Sequence, residues 1–485
     1  MHGPMGESSY TKSVSNLVKA VESSTTLQDS IFEQAKLYFE GCDNADGSDL
    51  YFEQQKQIRS LEESLIAADA SNKAAVAKKL SLALRTLKKD YASEEDKRIQ
   101  RLHKVLAVVS QLLVLSEAEN WQKTQVNSAK LLGTLQLLSP GEGPNRPILN
   151  QRLKPIYRGV LAIRLLDKLL NDGQISTQYI KDRYQADSRY PEKIGALTLF
   201  QREVAIPIIM SSLFQDIGSL HPKAQLILKG EDGTLDEFRL LEKEERLSLL
   251  RINHEQTLNF ITFGLGVDSY VGDSREERSE FAKNENQRLN FVRTLLKSAL
   301  QPKLGLGNLI KAPQIYASII FSSKQSHNFF DLPKAMLIVA KAAEREAISK
   351  IVSDSLLSIV GHFPQGYGIT YIPKDSGKKA ADRYEYAIVT GLNPEDPFVP
   401  TCRVATRNLT FIASGQVISI DKNSNLYFAT TKKSLEKINP ARLQEILRKL
   451  SSNFEERKEL EIIPSYWNPY SFFAYKKLQN LWKQV

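Results

Sequence analysis

Leu102, Val105, Leu106, Val109, Leu112 and Leu113 recur at spacings of three and four residues, one apolar stripe along a helix. A stripe this dense must be covered, which limits the chain to architectures in which long helices pack on other helices. Ile58, Leu61 and Leu65 repeat the pattern with charges between them, and Ser71 to Lys89 is rich in the helix formers Ala, Leu and Lys. The region 50–138 therefore predicts a helical bundle or an antiparallel coiled-coil pair. Its most apolar window, VLAVVSQLLVL (Val105 to Leu115), is too short to span a bilayer and carries Ser110 and Gln111, so it predicts a buried helix.

Texture divides the rest of the chain. Residues 1–48 read as a polar N-terminal segment ending in the turn-rich GCDNADGSD, and SPGEGPNRP (Ser139 to Pro147) is a breaker that closes an N-terminal helical domain at 49–147. Helical periodicity resumes over Ile148–Gly173, Ile194–Leu213, Leu235–Phe263, Glu276–Leu300 and Pro333–Val360, which predicts an all-α domain at 148–365. From Tyr367 short β-rich runs such as YGITYIP, YEYAIVTG, TCRVATR and QVISID alternate with turn residues, predicting a small antiparallel β module at 366–432. The segment 433–485 adds an amphipathic helix over Ser434–Leu450 and an aromatic tail. The expected fold is mainly α, with a helical-bundle or coiled-coil region, an all-α core, the β module and terminal helices.

Composition excludes more than it selects. A hydrophobic content of 42% with 25% charged residues is that of an ordinary globular chain, and a net charge of +9 spread over 485 residues does not call for a nucleic-acid polymer as partner. The two cysteines, Cys42 and Cys402, have neither metal-ligand spacing nor a disulfide framework, which fits a reducing, cytoplasmic setting. MHGPMGESSYTKSV lacks a basic stretch followed by an apolar one, so no signal peptide is expected. There is no Walker A loop, no Rossmann fingerprint, no GxSxG and no HExxH. Gly305 and Gly307, in KLGLGNLIK, follow no predicted strand and read as a helix break.

The run FQDIGSLHPKAQLILKGEDGTLDEFRLLEK, preceded by EVAIPIIMSSL, resembles the HD-GYP family of cyclic di-GMP phosphodiesterases. Asp216, Ile217, Gly218, Pro222, Lys229 and Lys243 keep the register of that family's His-Asp-Ile-Gly-Lys turn and the motifs after it. KAPQIYASIIFSSKQS (Lys311 to Ser326) is similar to a later family helix, with Phe321 and Ser326 matching. Gly361, Pro364, Gly366, Asn393, Pro394 and Pro397 fit a β extension that trails some of its members. The resemblance spans roughly Arg152 to Tyr427. It implies an HD-domain-like helical core, a bacterial cytosolic context, and pathways of motility, attachment and biofilm.

Hydrolysis in that family uses two or three metal ions held by His and Asp, which lower the pKa of a bridging water and polarise the phosphodiester. Carried over position by position, the ligands are missing. Gln215 stands where the histidine of the His-Asp pair is expected, Ser219 replaces the following lysine, and Glu245 lies near a later histidine position. Ile319 and Ser322 replace two aspartates, and ITFGLGVDSYVGDSREERSEF lacks the family's His-His-Glu and Gly-Tyr-Pro. Asp216 alone survives. His221, Glu245 and His254 could rebuild a site with Asp216 only as a closed ligand set with a satisfied second shell. Otherwise His221 is a turn residue, His254 a helix-surface or core histidine, and Asp216 a local cap.

Three readings follow. In the first, the chain is a non-catalytic protein-interaction or assembly module without cofactor. Its docking residues would be Trp467, Tyr470, Phe472, Phe473 and Trp482 unless these pack on its own core. Peripheral association with a membrane complex and homo-oligomerisation through the N-terminal helices belong to this reading. In the second, it is a cyclic di-GMP receptor that binds without hydrolysis, using Arg239, Arg246 and Arg251, with Arg275 and Arg278 nearby; charges at such spacing otherwise form a solvated face. In the third, it is an active metal-dependent phosphodiesterase with atypical ligands.

Overall fold

The computed structural model describes residues 5–41, 50–71, 73–193, 195–300, 305–324, 327–374, 383–437, 440–450 and 463–483. His2, Cys42 and Ser326 lie outside the described residues. In chain order the helices are α1 (Ser9–Val21), α2 (Ile31–Gly41), α3 (Leu50–Ala70), α4 (Ala74–Ser116), α5 (Trp121–Leu138), α6 (Arg146–Asn171), α7 (Gln178–Lys181) and α8 (Ile206–Phe214). They continue with α9 (Pro222–Lys229), α10 (Lys243–Asn259), α11 (Arg275–Ser298), α12 (Asn308–Ile320), α13 (Ala335–Glu344), α14 (Lys350–Val360), α15 (Ala429–Glu436), α16 (Pro440–Leu450) and the short α17 (Tyr470–Phe473). The strands are β1 (Gly368–Tyr371), β2 (Glu385–Val389), β3 (Thr401–Val404), β4 (Thr406–Arg407), β5 (Thr410–Phe411) and β6 (Val417–Ser419). The protein is mainly helical, with a small antiparallel sheet near its C-terminal end.

The N-terminal segment, expected to be merely polar, carries two helices. Val14, Leu17 and Val21 on α1, and Phe32, Ala35 and Phe39 on α2, are all buried. Each set holds helical spacing, but polar neighbours outnumber it and mask the pattern. The predicted run Pro333–Val360 is two helices, broken where Glu346 takes a φ of 56° and the Ser349 N–H donates to Asn308 Oδ1 at 2.8 Å.

The chain forms two compact units, each discontinuous in sequence. The first comprises Met1–Val18, Gln111–Ser212 and Ser298–Val485; the second comprises Lys19–Ser110 and Leu213–Lys297. In the first unit α6 is the central helix, and Ile156, Tyr157, Val160, Leu161 and Leu165 are at most 1% exposed. It packs against α5, α12 and α14. The sheet has the order β1-β2-β3-β6, antiparallel throughout, with Gly368 opposite Ile388, Ala387 opposite Val404 and Cys402 opposite Ile418. β4 and β5 form a separate two-residue hairpin whose Asn408 and Leu409 both have positive φ, the twist that matches paired strands. The buried Glu385 carboxylate fixes it, accepting from Asn408 N at 2.7 Å, Leu409 N at 3.1 Å and Thr406 Oγ1 at 2.7 Å.

The aromatic tail belongs to this unit's own core. Trp467, Phe472 and Phe473 are buried with Leu137, Ile388 and Leu481. Trp467 stacks on Tyr386 with centroids 4.7 Å apart and donates from Nε1 to Ala387 O at 3.0 Å. The half-buried Trp482 lies against Gly133 and donates to Thr390 O at 2.9 Å. Of the five residues weighed as a docking surface, only Tyr470, 46% exposed, presents itself outward.

In the second unit an aromatic cluster joins α2 to the last residue of α8 and to the turn that follows α10. Phe214 meets Phe260 edge-on at 5.6 Å, and Phe39 lies 5.6 Å from Phe260. α3 and α4 form an antiparallel hairpin, joined across by Lys88 Nζ and Glu62 Oε1 at 2.6 Å. Among the described residues α4 is the single helix long and apolar enough to cross a membrane; a bent pair over 201–229 qualifies only if taken as one span. Along α4, Leu102, Val105, Val109, Leu112 and Leu113 of the apolar stripe are buried in the protein.

Candidate functional site

The stretch that carries the family resemblance is a tight junction between α8 and α9, packed on α10. α8 ends at Phe214, Gln215 and Asp216 turn the chain, and Ile217–Leu220 form one 3-10 turn. His221 then caps α9, its Nδ1 accepting from Lys223 N at 3.2 Å, with Pro222 in the first helical turn. The Asp216 carbonyl accepts from Ser219 N at 3.1 Å and Ser219 Oγ at 2.6 Å.

α10 closes over this junction. Asn253 Nδ2 donates to Gln215 O at 3.0 Å, and Gly218 N donates to Thr257 Oγ1 at 3.1 Å. A Cβ at Gly218 would overlap the Asn253 carbonyl and come within 2.8 Å of Thr257 N. The glycine is therefore required by the close approach of two backbones. Gly218→Ala is expected to push α10 away and cost about 1–3 kcal/mol. Chemical denaturation of the variant against wild type checks this.

The positions mapped to metal ligands hold other partners. Gln215 is buried and Asp216 half-buried at the turn. Glu245 sits at the third position of α10, where its side chain accepts from Glu242 N at 2.9 Å in a capping box and pairs with Arg239 at 2.6 Å. Arg239 also donates to Ile227 O at 2.9 Å. His221 is 4% exposed and packs edge-on against Phe39, 5.6 Å between centroids. Burial, and then the Lys297 charge, push the His254 imidazole below its usual pKa. Ile319 and Ser322 lie in the other compact unit, at and beyond the end of α12, where the Ser322 carbonyl accepts from Asn150 at 2.9 Å and Arg146 at 3.0 Å.

This donor set does not fit a binuclear metal centre. Glu245 is engaged as a helix cap, His221 as another cap, and Gln215 supplies only an amide. Among the described residues no group of three or more His, Cys, Asp or Glu side chains is placed to hold a metal ion. The three arginines do not converge either. Arg239 is tied to Glu245, while Arg246 and Arg251 are exposed and, five residues apart, point about 140° away from each other around α10.

Two features of the first unit carried no sequence signal. One is an ionic cluster closed off from solvent. Glu117 accepts from Arg164 Nη2 at 2.5 Å, Arg189 Nη2 at 2.6 Å and Gln201 Nε2 at 2.7 Å, while Asp167 accepts from Arg189 Nε at 2.8 Å. A π-helical turn over Gln201–Ala205 sets Gln201 in place. Burial would raise the Glu117 pKa, but the adjoining Arg189 and Arg164 and the hydrogen bonds override it and hold the carboxyl at about 2. The other is a cavity of about 430 Å³ on the β module. Four of its five charged lining residues pair, Lys374 with Asp421 at 3.1 Å and Arg383 with Glu385 at 3.8 Å, and Arg407 is the fifth.

Comparison with protein-family models, with curated proteins and with solved structures finds no match for this chain.

Proposed function

We propose that this chain is a non-catalytic interaction or assembly module on an HD-domain-like helical scaffold, working in bacterial cyclic di-GMP-linked signalling, motility or attachment. The supporting observation is the employment of the side chains at the former ligand positions. Of those positions Glu245 caps α10 and Gln215 holds Asn253 through its carbonyl, and beside them His221 caps α9 and Gly218 lets α10 approach, the geometry of a helix junction. The same two helices and the loop between them turn leucines outward: Leu240 is 85% exposed, Leu250 57% and Leu247 55%. Apolar surface rimmed by charge is what a partner-binding face requires. The bacterial context and the link to cyclic di-GMP rest on the resemblance of the Gln215–Lys243 region to the HD-GYP family.

Elemental analysis of the purified chain after exposure to Mn²⁺ or Fe²⁺ tests the loss of chemistry. Less than one tightly held ion per chain and no hydrolysis of a chromogenic phosphodiester are expected. Two ions per chain with turnover would overturn the reading.

A further inference from the structure

α4 rejoins the body of its unit at Arg98 and Arg101, which donate to the Leu265 and Gly264 carbonyls. The helix before them, residues 74–97, is about 36 Å long. Between Lys73 and Ser93 Leu84 alone is buried. This half of α4 therefore stands out from the unit, with α3 beside it and the Lys88–Glu62 ion pair between them.

At about 100° per residue, Ala77, Leu80, Leu84, Leu87 and Tyr91 fall on one side of α4, and none of them is exposed. The opposite side centres on Leu82, which is 67% exposed. Lys78, Lys79, Arg85 and Lys89 lie within about 60° of Leu82 around the helix, and all four are exposed. Over residues 74–89 no carboxylate shares this arc. Asp90 stands at its margin, about 80° from Leu82, and Asp96 re-enters it about two turns beyond Lys89. The cations span about 16 Å of one helix face. Arg85 and Lys89, four residues apart, repel each other, so the folding of α4 gains nothing from the stripe.

We propose that this face of α4 binds an anionic lipid bilayer, with Leu82 entering the headgroup layer and the four cations lying against the acidic headgroups. Leu82 favours a bilayer over a nucleic acid or an acidic peptide. An aliphatic side chain at the centre of the cations gains by leaving water for the acyl boundary and gains nothing from a phosphate backbone. The face is also convex and follows one helix, so it meets a plane along its length. Three of its four cations are lysines, point charges that need no fixed acceptor geometry.

α3 does not oppose this contact. It carries Glu53, Glu62, Glu63 and Asp69 against Lys56 and Arg59, a net charge of −2. Lys88, which reaches Glu62, lies about 120° around α4 from Leu82, so α3 is on the side away from the bilayer. Its excess negative charge sits one interhelical distance of about 8–10 Å further out, about a Debye length. The stripe is separate in sequence from the Gln215–Lys243 region and from the α10 leucines, so this proposal and the proposed function fail separately.

Co-sedimentation of the full chain with lipid vesicles tests it. At low salt, vesicles rich in phosphatidylserine should bind the chain roughly 100-fold or more tightly than phosphatidylcholine alone, and the preference should fall as salt is raised. K78E/R85E/K89E should abolish the preference. K341E/K350E/K433E makes the same change in net charge at exposed lysines elsewhere and should keep it. R85Q/K89Q removes a repulsion within the helix and should lower affinity roughly 25-fold. Leu82→Ser should weaken binding roughly 5-fold and leave the salt dependence in place. Circular dichroism of each variant should match wild type. Equal binding of wild type to both vesicle types, an equal loss in the two triple variants, or full affinity in R85Q/K89Q would each overturn the proposal. So would an RNA oligomer that strips the chain from vesicles and binds through the same residues.

Discussion

Replacing Glu117 by alanine is expected to destabilise the protein by about 3–5 kcal/mol and to lower its melting temperature by on the order of 10 °C. Arg164 and Arg189 are 2% exposed and Glu117 6%, so removing the carboxylate leaves two guanidinium groups buried with Asp167 alone to neutralise them. Arg189 is also sandwiched by rings, 4.7 Å from the Tyr190 centroid and 4.8 Å from that of Phe200, and has no route to water. Glu117→Gln keeps the shape but not the charge and should cost nearly as much. The sign of the pH dependence follows from the depressed pKa. The stabilisation from Glu117 is complete above the unfolded carboxyl value of about 4.5 and is lost as pH falls through the folded value of about 2. Calorimetric melting of wild type between pH 6 and pH 2.5 should show a fall in stability, and the Gln variant should lack the Glu117 share of it.

Trp467→Ala is expected to cost about 3–5 kcal/mol in the first unit. The indole stacks on Tyr386, meets Phe472 edge-on at 6.1 Å, and its N–H is held by Ala387 O on β2. Its backbone matters as well: a Cβ at Gly368 would overlap the Trp467 carbonyl, so β1 and the tail approach as closely as glycine allows. Truncation opens a cavity between sheet and tail, while Trp467→Phe should recover part of the loss by keeping a stacked ring. Urea denaturation followed by far-ultraviolet circular dichroism measures both. A cost near zero for the alanine variant would mean that the tail is not part of the folded unit.

The sequence showed its helices where apolar residues crowd one face and hid them where they do not. The stripe Leu102–Leu113 is dense enough to be read directly, and the strands from Gly368 onward announce themselves by β-branched and aromatic runs between turns. α1 and α2 escape the sequence reading because the three buried apolar residues of α1 and the four of α2 are diluted by polar ones. The break between α13 and α14 was hidden because no glycine or proline marks it; a left-handed Glu346 makes the turn. The two compact units were illegible for a different reason. α4 and α8 each pass from one unit to the other without interrupting their helical period, so no breaker marks the crossing. The Glu117 cluster was likewise invisible. Its members are 47 and 72 residues apart, and each alone looks like a surface charge. That Gln215, Ile319 and Ser322 are not metal-ligand side chains is plain in the sequence. The engagement of Glu245 and His221 as helix caps could be seen only once α9 and α10 were in place.

Calorimetric titration of cyclic di-GMP into the metal-assayed full chain, with chromatography of the nucleotide afterwards, tests most directly the proposal that the Gln215–Lys243 junction serves packing and not nucleotide chemistry. No heat beyond dilution and an intact nucleotide are expected. A saturable isotherm with intact nucleotide would make the chain a receptor, and continuing heat with a linearised product would make it an enzyme; either result would contradict the account.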